Sequence, residues 1–218
     1  MLTERRIVLA SNNRGKLREF SEMLGPLGIV LTPQGELGVP EAAEPFDTFV
    51  ENALQKARHA ARITGLPALA DDSGLCVPAL GGAPGVHSAR YALLDGNDAA
   101  GNHGSGGAGG GERSDAANNS RLLRDIAPLA QAQRHAYYYC VLVFMRAADD
   151  PRPVIAEGEW HGRLIDVPRG THGFGYDPLF LIESLGRTAA ELEPQQKNHL
   201  SHRSIALASL VQTLKDAA

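Results

Sequence analysis

Residues 7–16 read Ile-Val-Leu-Ala-Ser-Asn-Asn-Arg-Gly-Lys, an apolar run of strand type that gives way to small polar residues. After it, Leu17, Phe20 and Leu24 recur at i, i+3 and i+7, and Gly25-Pro26 ends the pattern, which predicts a helix starting near Lys16. Strand, polar turn and helix in that order mark an α/β opening. Ile29-Val30-Leu31 reads as a second strand. The acidic stretch from Glu36 to Asp47 then leads into Thr48-Phe49-Val50-Glu51, a capping box that predicts a helix to about Ile63. A short strand, Ala68-Leu69-Ala70, runs directly into Asp71-Asp72-Ser73-Gly74.

Further along, Leu122, Leu123, Ile126 and Leu129 suggest a helix, and apolar runs around Tyr137–Arg146 and Val154–Trp160 suggest strands paired antiparallel across the turn Ala147–Pro153. Leu207, Leu210, Val211 and Leu214 keep helical spacing and predict a final helix. Between Gly96 and Gly111 lie eight of the 24 glycines, the composition of a flexible connector inserted in a single domain of residues 1–218. Gly104 to Gly109 formally match a dinucleotide-binding glycine pattern, but no strand precedes them.

With 218 residues, 43% of them hydrophobic and 21% charged, the chain can bury one core, or two small lobes sharing one. A formal charge of −4 excludes the broad positive field of a dedicated nucleic-acid binder. Apolar runs such as Val141–Met145 fall far short of the roughly 20 residues that cross a bilayer, so the expectation is a cytoplasmic protein without a membrane segment. Cys76 and Cys140 are too few for a disulfide framework, lack metal-ligand spacing, and read as buried small residues.

Four segments can carry chemistry. Ser11 to Lys16 offers backbone N–H groups and an ammonium at a helix start, suited to an anion, although an ordinary Asn-capped helix has the same composition. It is not a Walker A loop, since Leu17 follows Lys16. On the helix after Thr48, Asn52 and Lys56 share a face, Ala53, Ala57, Ala60 and Ala61 form a packing stripe, and Glu51 suits either the capping box or a metal. Adjacent Asp71 and Asp72 repel unless a cation or proton is shared, which favours magnesium beside phosphate-binding lysines; a plain Asp-Ser-Gly turn is the alternative. Phe174 and Tyr176, in a glycine-flexed loop with Asp177, suit either a nucleobase or a core bend. Lys197, His199, His202 and Arg203 gather donors before the last helix, without a third soft ligand that would favour zinc.

Taken together, these segments resemble the inosine triphosphate pyrophosphatase family, its bacterial branch acting on dITP and XTP above all. The matching stretches are Ser11-Asn12-Asn13-Arg14-Gly15-Lys16, Phe49-Val50-Glu51-Asn52-Ala53 with Lys56-Ala57, Ala70 to Gly74, Gly81 to Val86 with Ser88-Ala89-Arg90-Tyr91, Phe174 to Asp177, and Ser201-His202-Arg203. The resemblance implies a mixed α/β fold with an elongated central sheet, flanking helices and two lobes around a nucleotide cleft, assembled as a homodimer. It implies hydrolysis of non-canonical purine nucleoside triphosphates to monophosphate and pyrophosphate by Mg²⁺-assisted water attack at the α-phosphorus. Asp72 is then the general base and, with Glu44, a metal ligand, Glu41 and Glu51 being the other carboxylates near that position. Ser11, Asn12, Asn13, Arg14, Gly15, Lys16 and Lys56 would meet the phosphates, and Ser73 would lie near the substrate. Phe174 would stack on the base, with Gly175, Tyr176, Asp177, Lys197, His202 and Arg203 around base and sugar. The rival readings are a non-enzymatic nucleotide sensor and a pyrophosphatase for modified pyrimidine nucleotides.

Overall fold

A computed structural model describes residues 5–96 and 114–216. The glycine-rich connector expected at 96–111 lies outside the described residues from position 97 onward. In chain order the elements are β1 (Arg5–Leu9), α1 (Arg14–Leu24), β2 (Ile29–Pro33), α2 (Phe49–Thr64), β3 (Ala68–Cys76), α3 (Asp115–Ile126), β4 (His135–Met145), β5 (Val154–Leu164), β6 (Phe180–Ile182), β7 (Arg187–Thr188), α4 (Pro194–Leu200) and α5 (His202–Asp216). The strands form one sheet in the order β2-β1-β3-β4-β5-β6-β7. β1 is parallel to both of its neighbours, Leu9 facing Pro33 on one side and Leu69 on the other, so α1 and α2 are the crossovers such pairings require. β4 and β5 are neighbours across a loop at 146–153 too short for a parallel crossover.

Local signals account for most element ends. Asn13 caps α1, Thr48 caps α2, and Gly65, at φ +67°, closes α2 by donating its N–H to the Ala61 carbonyl. One element departs from expectation. The strand foreseen at Ala68–Ala70 continues through Asp71-Asp72-Ser73-Gly74 to Cys76, so the acidic pair lies within β3 and not in a turn. Side chains alternate across a strand, and Asp71 and Asp72 therefore point to opposite faces. Adjacent in sequence, they are separated in space by geometry alone. Leu129, expected on the α3 periodicity, falls beyond that helix.

The chain divides into two compact units, with the divisions inside β3, β4 and β5: Met1–Asp72, Cys140–Gly158 and His202–Ala218 form the first, Ser73–Tyr139 and Glu159–Ser201 the second. In the first unit, Ile7 and Leu9 of β1, Leu69 of β3 and Cys140 and Leu142 of β4 bury against Phe20 and Leu24 of α1 and Ala206, Leu207 and Leu210 of α5. In the second, the rings of Tyr138 and Trp160 pack on Phe180 with centroids 4.8 and 5.4 Å away, and Leu122 and Ile126 bring α3 onto the same core. Both cysteines are buried and free.

Gly158 sets how α5 meets the sheet in the first unit. A Cβ there would stand 2.2 Å from the His202 carbonyl oxygen and 2.5 Å from the Ala206 nitrogen, so the first turn of α5 rests directly on the β5 backbone. Gly158→Ala should cost about 1–3 kcal/mol by overpacking, read by chemical unfolding. Gly25→Ala, at a site where nothing lies within 4 Å, should change stability by less than about 0.5 kcal/mol.

Candidate active site

The turn between β1 and α1 is held by its own asparagines. The Asn13 side-chain oxygen accepts the N–H groups of Gly15 at 2.8 Å and Lys16 at 3.1 Å, and the Asn13 N–H donates to Ser11 Oγ at 3.2 Å. Asn12 Oδ1 accepts the Gly35 N–H at 2.8 Å, tying the turn to the segment after β2. Two amides that the sequence offered to an anion are thus engaged in the helix cap. Arg14 is exposed. The Lys16 ammonium turns to Asp71, 2.8 Å from Oδ2 and 3.0 Å from Oδ1.

Asp71 is buried, and Arg203 approaches it from α5 with Nε 3.9 Å from Oδ2. Arg203 is itself buried and donates from Nη1 to Glu19 on α1 at 2.9 Å. Burial by itself would raise the Asp71 carboxyl, but the charges of Lys16, Arg203 and Lys56 outweigh it and hold the pKa at about 2. This cluster joins α1, β3 and α5, and in it Arg203, expected at the base edge, meets Glu19 and Asp71 of the first unit.

On the other face of β3, Asp72 Oδ1 lies 3.1 Å from Lys56 Nζ, and the same ammonium meets Glu44 Oε1 at 2.8 Å. Burial lifts the Asp72 carboxyl above its ordinary value; Lys56 opposes this, while Glu44 and Asp71 reinforce it. Burial would lower the Lys56 ammonium, but Asp72, Asp71 and Glu44 together keep it raised. The two neighbouring carboxyls are thus shifted in opposite directions, Asp72 up and Asp71 down.

Glu44 reaches Lys56 because buried Asn52 clamps the chain ahead of α2. Its Oδ1 accepts the Phe46 N–H at 3.1 Å and its Nδ2 donates to the Phe46 carbonyl at 3.0 Å. In the sequence, Asn52 is legible as a residue sharing a face with Lys56 and as part of the Phe49–Ala53 motif, with no sign of this clamp. Glu51 accepts the Thr48 hydroxyl, so its side chain serves the helix start, and Glu41 is exposed. Two hard carboxylates converging on one ammonium suit a divalent ion such as Mg²⁺, which takes one or two protein oxygens and fills its remaining positions from water and phosphate. Among the described residues there is no group of three or more His, Cys, Asp or Glu that would form a closed metal cage.

In the second unit Asp177 organises the aromatic loop. Its buried carboxylate accepts the Tyr138 hydroxyl at 3.1 Å, the Phe174 N–H at 2.9 Å and the Lys197 ammonium. Gly173 has φ +78°, and a Cβ there would lie 2.0 Å from Asp177 Oδ2, so no other residue fits. Phe174 is 58% exposed, with Lys197 Nζ 4.9 Å from its ring centroid. Tyr176 is buried, its hydroxyl donating to the Ser88 carbonyl at 2.8 Å, and its ring belongs to the core. Asp115 and Asn119 of α3, which sequence reading passed over, bond to Gly175. Ser73 is partly buried in β3, and His202 is buried at the start of α5 in the first unit. Lys197 and the His202-Arg203 pair, gathered into one segment by sequence, fall in different units.

The depressed Asp71 pKa has a consequence for acid stability. The folded value of about 2 lies below the ordinary 3.8, so the stabilisation is full above that ordinary value and is lost as pH falls toward 2. It amounts to roughly 2 kcal/mol by linkage. Urea unfolding followed from pH 6 to 3 should show this loss, and Asp71→Asn, although less stable throughout, should show a correspondingly shallower acid slope.

Residues 7–213 match the Ham1 family. A dITP/XTP pyrophosphatase of Ralstonia nicotianae is 62% identical over 211 residues, covering 97% of each chain. One from Burkholderia pseudomallei is 60% identical over 209 residues, covering 96% of this chain and 93% of the relative. The solved structure of a HAM1 protein from Coxiella burnetii matches with a TM-score of 0.84 at 46% identity, covering 97% of this chain and 99% of that one. The Staphylococcus aureus Ham1 protein matches at 0.82 and 33% identity, covering 98% and 100%. With the motifs, the sheet and the whole length in agreement, the chain belongs to the Ham1 family.

Proposed function

We propose that this protein hydrolyses non-canonical purine nucleoside triphosphates, dITP, ITP and XTP, to the nucleoside monophosphate and pyrophosphate. The observation that carries the reading is Lys56 shared by Glu44 and Asp72, in a chain about 60% identical to proteins named dITP/XTP pyrophosphatase. Asp72 accepts the proton of the water that attacks the α-phosphorus, and its raised pKa suits proton transfer better than an ordinary carboxylate would. Lys56 and Lys16 balance phosphate charge, with the turn from Ser11 to Gly15 beside them. Glu44 and Asp72 hold Mg²⁺, which when bound neutralises the polyphosphate and polarises the reacting centre. Ser73, the next residue of β3, is a further substrate-binding residue of this reading.

For the base, Phe174 is the stacking platform. Lys197 is the donor for the 6-keto oxygen, with Asp177 holding both through the contacts described above. His202 and Arg203, at the start of α5, are the other residues that this reading assigns to base and sugar. A purine carrying an acceptor at position 6 pairs with such a donor, whereas adenine presents its own donor there and leaves both unpaired. GTP shares the 6-keto group, so its exclusion falls on the 2-amino group. The reading includes a cytoplasmic homodimer that binds no nucleic acid; no helix of the described residues is long and apolar enough to cross a membrane.

Pyrophosphate release measured across ITP, XTP, GTP, ATP and dUTP, with and without Mg²⁺, should show ITP and XTP turnover that requires the metal. Preferred dUTP would favour the pyrimidine reading, and binding of ITP without turnover the sensor. Asp72→Asn should abolish turnover and leave a folded protein that binds ITP. Activity within about threefold of the parent, under about 1 kcal/mol of barrier, would remove Asp72 from the mechanism. In the parent, kcat/KM should fall on the acid side at a pH above the ordinary carboxylate value of 3.8, because protonated Asp72 cannot take a proton.

A further inference from the structure

Phe174 presents an exposed ring on a backbone that is bonded from two directions. On one side Asp177 accepts its N–H at 2.9 Å. On the other, two α3 side chains grip the peptide of Gly175: Asp115 Oδ2 accepts the Gly175 N–H at 2.6 Å, and Asn119 Nδ2 donates to the Gly175 carbonyl at 2.9 Å. Asp115 and Asn119 are four apart and therefore share one helix face, whose direction is set by the burial of Leu122 and Ile126 in the second core. Aiming its donor at Gly175 leaves Asn119 Oδ1 buried with no hydrogen-bond partner among the described residues. Gly175 adopts φ +62°, a conformation that glycine enters freely but that an unanchored loop leaves just as freely.

We infer that Asp115 and Asn119 are positioning residues for nucleotide affinity, fixing the Phe174 ring in its stacking orientation before substrate arrives. The inference rests on Phe174 being the base platform. Preorganisation of this kind removes the entropy cost of ordering the loop at binding, so its loss raises KM and leaves the hydrolytic step, carried by Asp72 and Lys56, nearly unchanged.

The test uses the full-length protein with ITP as substrate. Asn119→Ala and Asp115→Ala should each raise KM about five- to tenfold, with kcat within about twofold and little change in Tm. Asp115→Asn, which keeps an acceptor oxygen, should restore the parent KM. In a Phe174→Ala background, adding Asn119→Ala should raise KM no further, because the group it positions is gone. Equal effects of Asn119→Ala with and without Phe174 would overturn the inference, as would an unchanged KM in both α3 variants. An unchanged KM in Phe174→Ala alone would instead overturn the platform reading on which the inference stands.

Discussion

A buried carboxylate held between two cations is the constraint on which the first unit depends. Asp71 stands in β3 with Lys16 of α1 on one side and Arg203 of α5 on the other, and Arg203 returns to α1 through Glu19. Removing Asp71 leaves the buried Arg203 guanidinium and Lys16 without the anion between them, so the three elements are specified together. Hydrophobic packing of Phe20, Leu24, Leu207 and Leu210 is non-directional and would tolerate small slides of α1 and α5. Charge pairing at 2.8 Å does not. The same pairing fixes where the Lys16 ammonium stands.

Strand geometry then divides labour between neighbouring aspartates. Because β3 continues through residues 71–74, Asp71 is turned to the pair of cations that lowers its pKa, and Asp72 to a single ammonium already shared with Glu44. Two cations around one carboxylate depress its pKa; two carboxylates around one cation leave one of them raised. Identical side chains one residue apart thereby acquire opposite acid–base characters. Asn52 completes the arrangement by holding the Phe46 backbone, and with it the chain that carries Glu44.

The second unit uses a similar device for a different end. Asp177 gathers the Tyr138 hydroxyl, the Phe174 amide and the Lys197 ammonium, and its close approach at Gly173 shapes the loop. The aromatic pair read from sequence consequently separates into two roles. Tyr176 packs in the core and Phe174 stays exposed, since the glycines on either side of Phe174 direct successive side chains differently.

The sequence by itself determined what depends on near neighbours. Helical spacing in α1 and α5, the Asn13 and Thr48 caps, the Gly25-Pro26 stop and the ordered motifs carrying the family resemblance are local patterns, and local patterns survive into the fold. The placement of Lys56 near Asp72 and Glu44 was legible through that resemblance. Other features were decided by tertiary structure alone. Asp-Asp-Ser-Gly has turn-forming composition, yet pairing within the sheet carries it as strand, because ladder hydrogen bonds and the burial of Ala70 and Leu75 on either side outweigh the local preference. Arg203 lies 132 positions from Asp71 and Gly175 lies 56 from Asn119, separations at which spacing holds no information about contact. Lys197 and Arg203 are six positions apart and still belong to different units, because the chain passes from one core to the other between Ser201 and His202. Which partner a long polar side chain finds is settled by what burial brings within about 3 Å of it, and that is fixed only when both cores have formed.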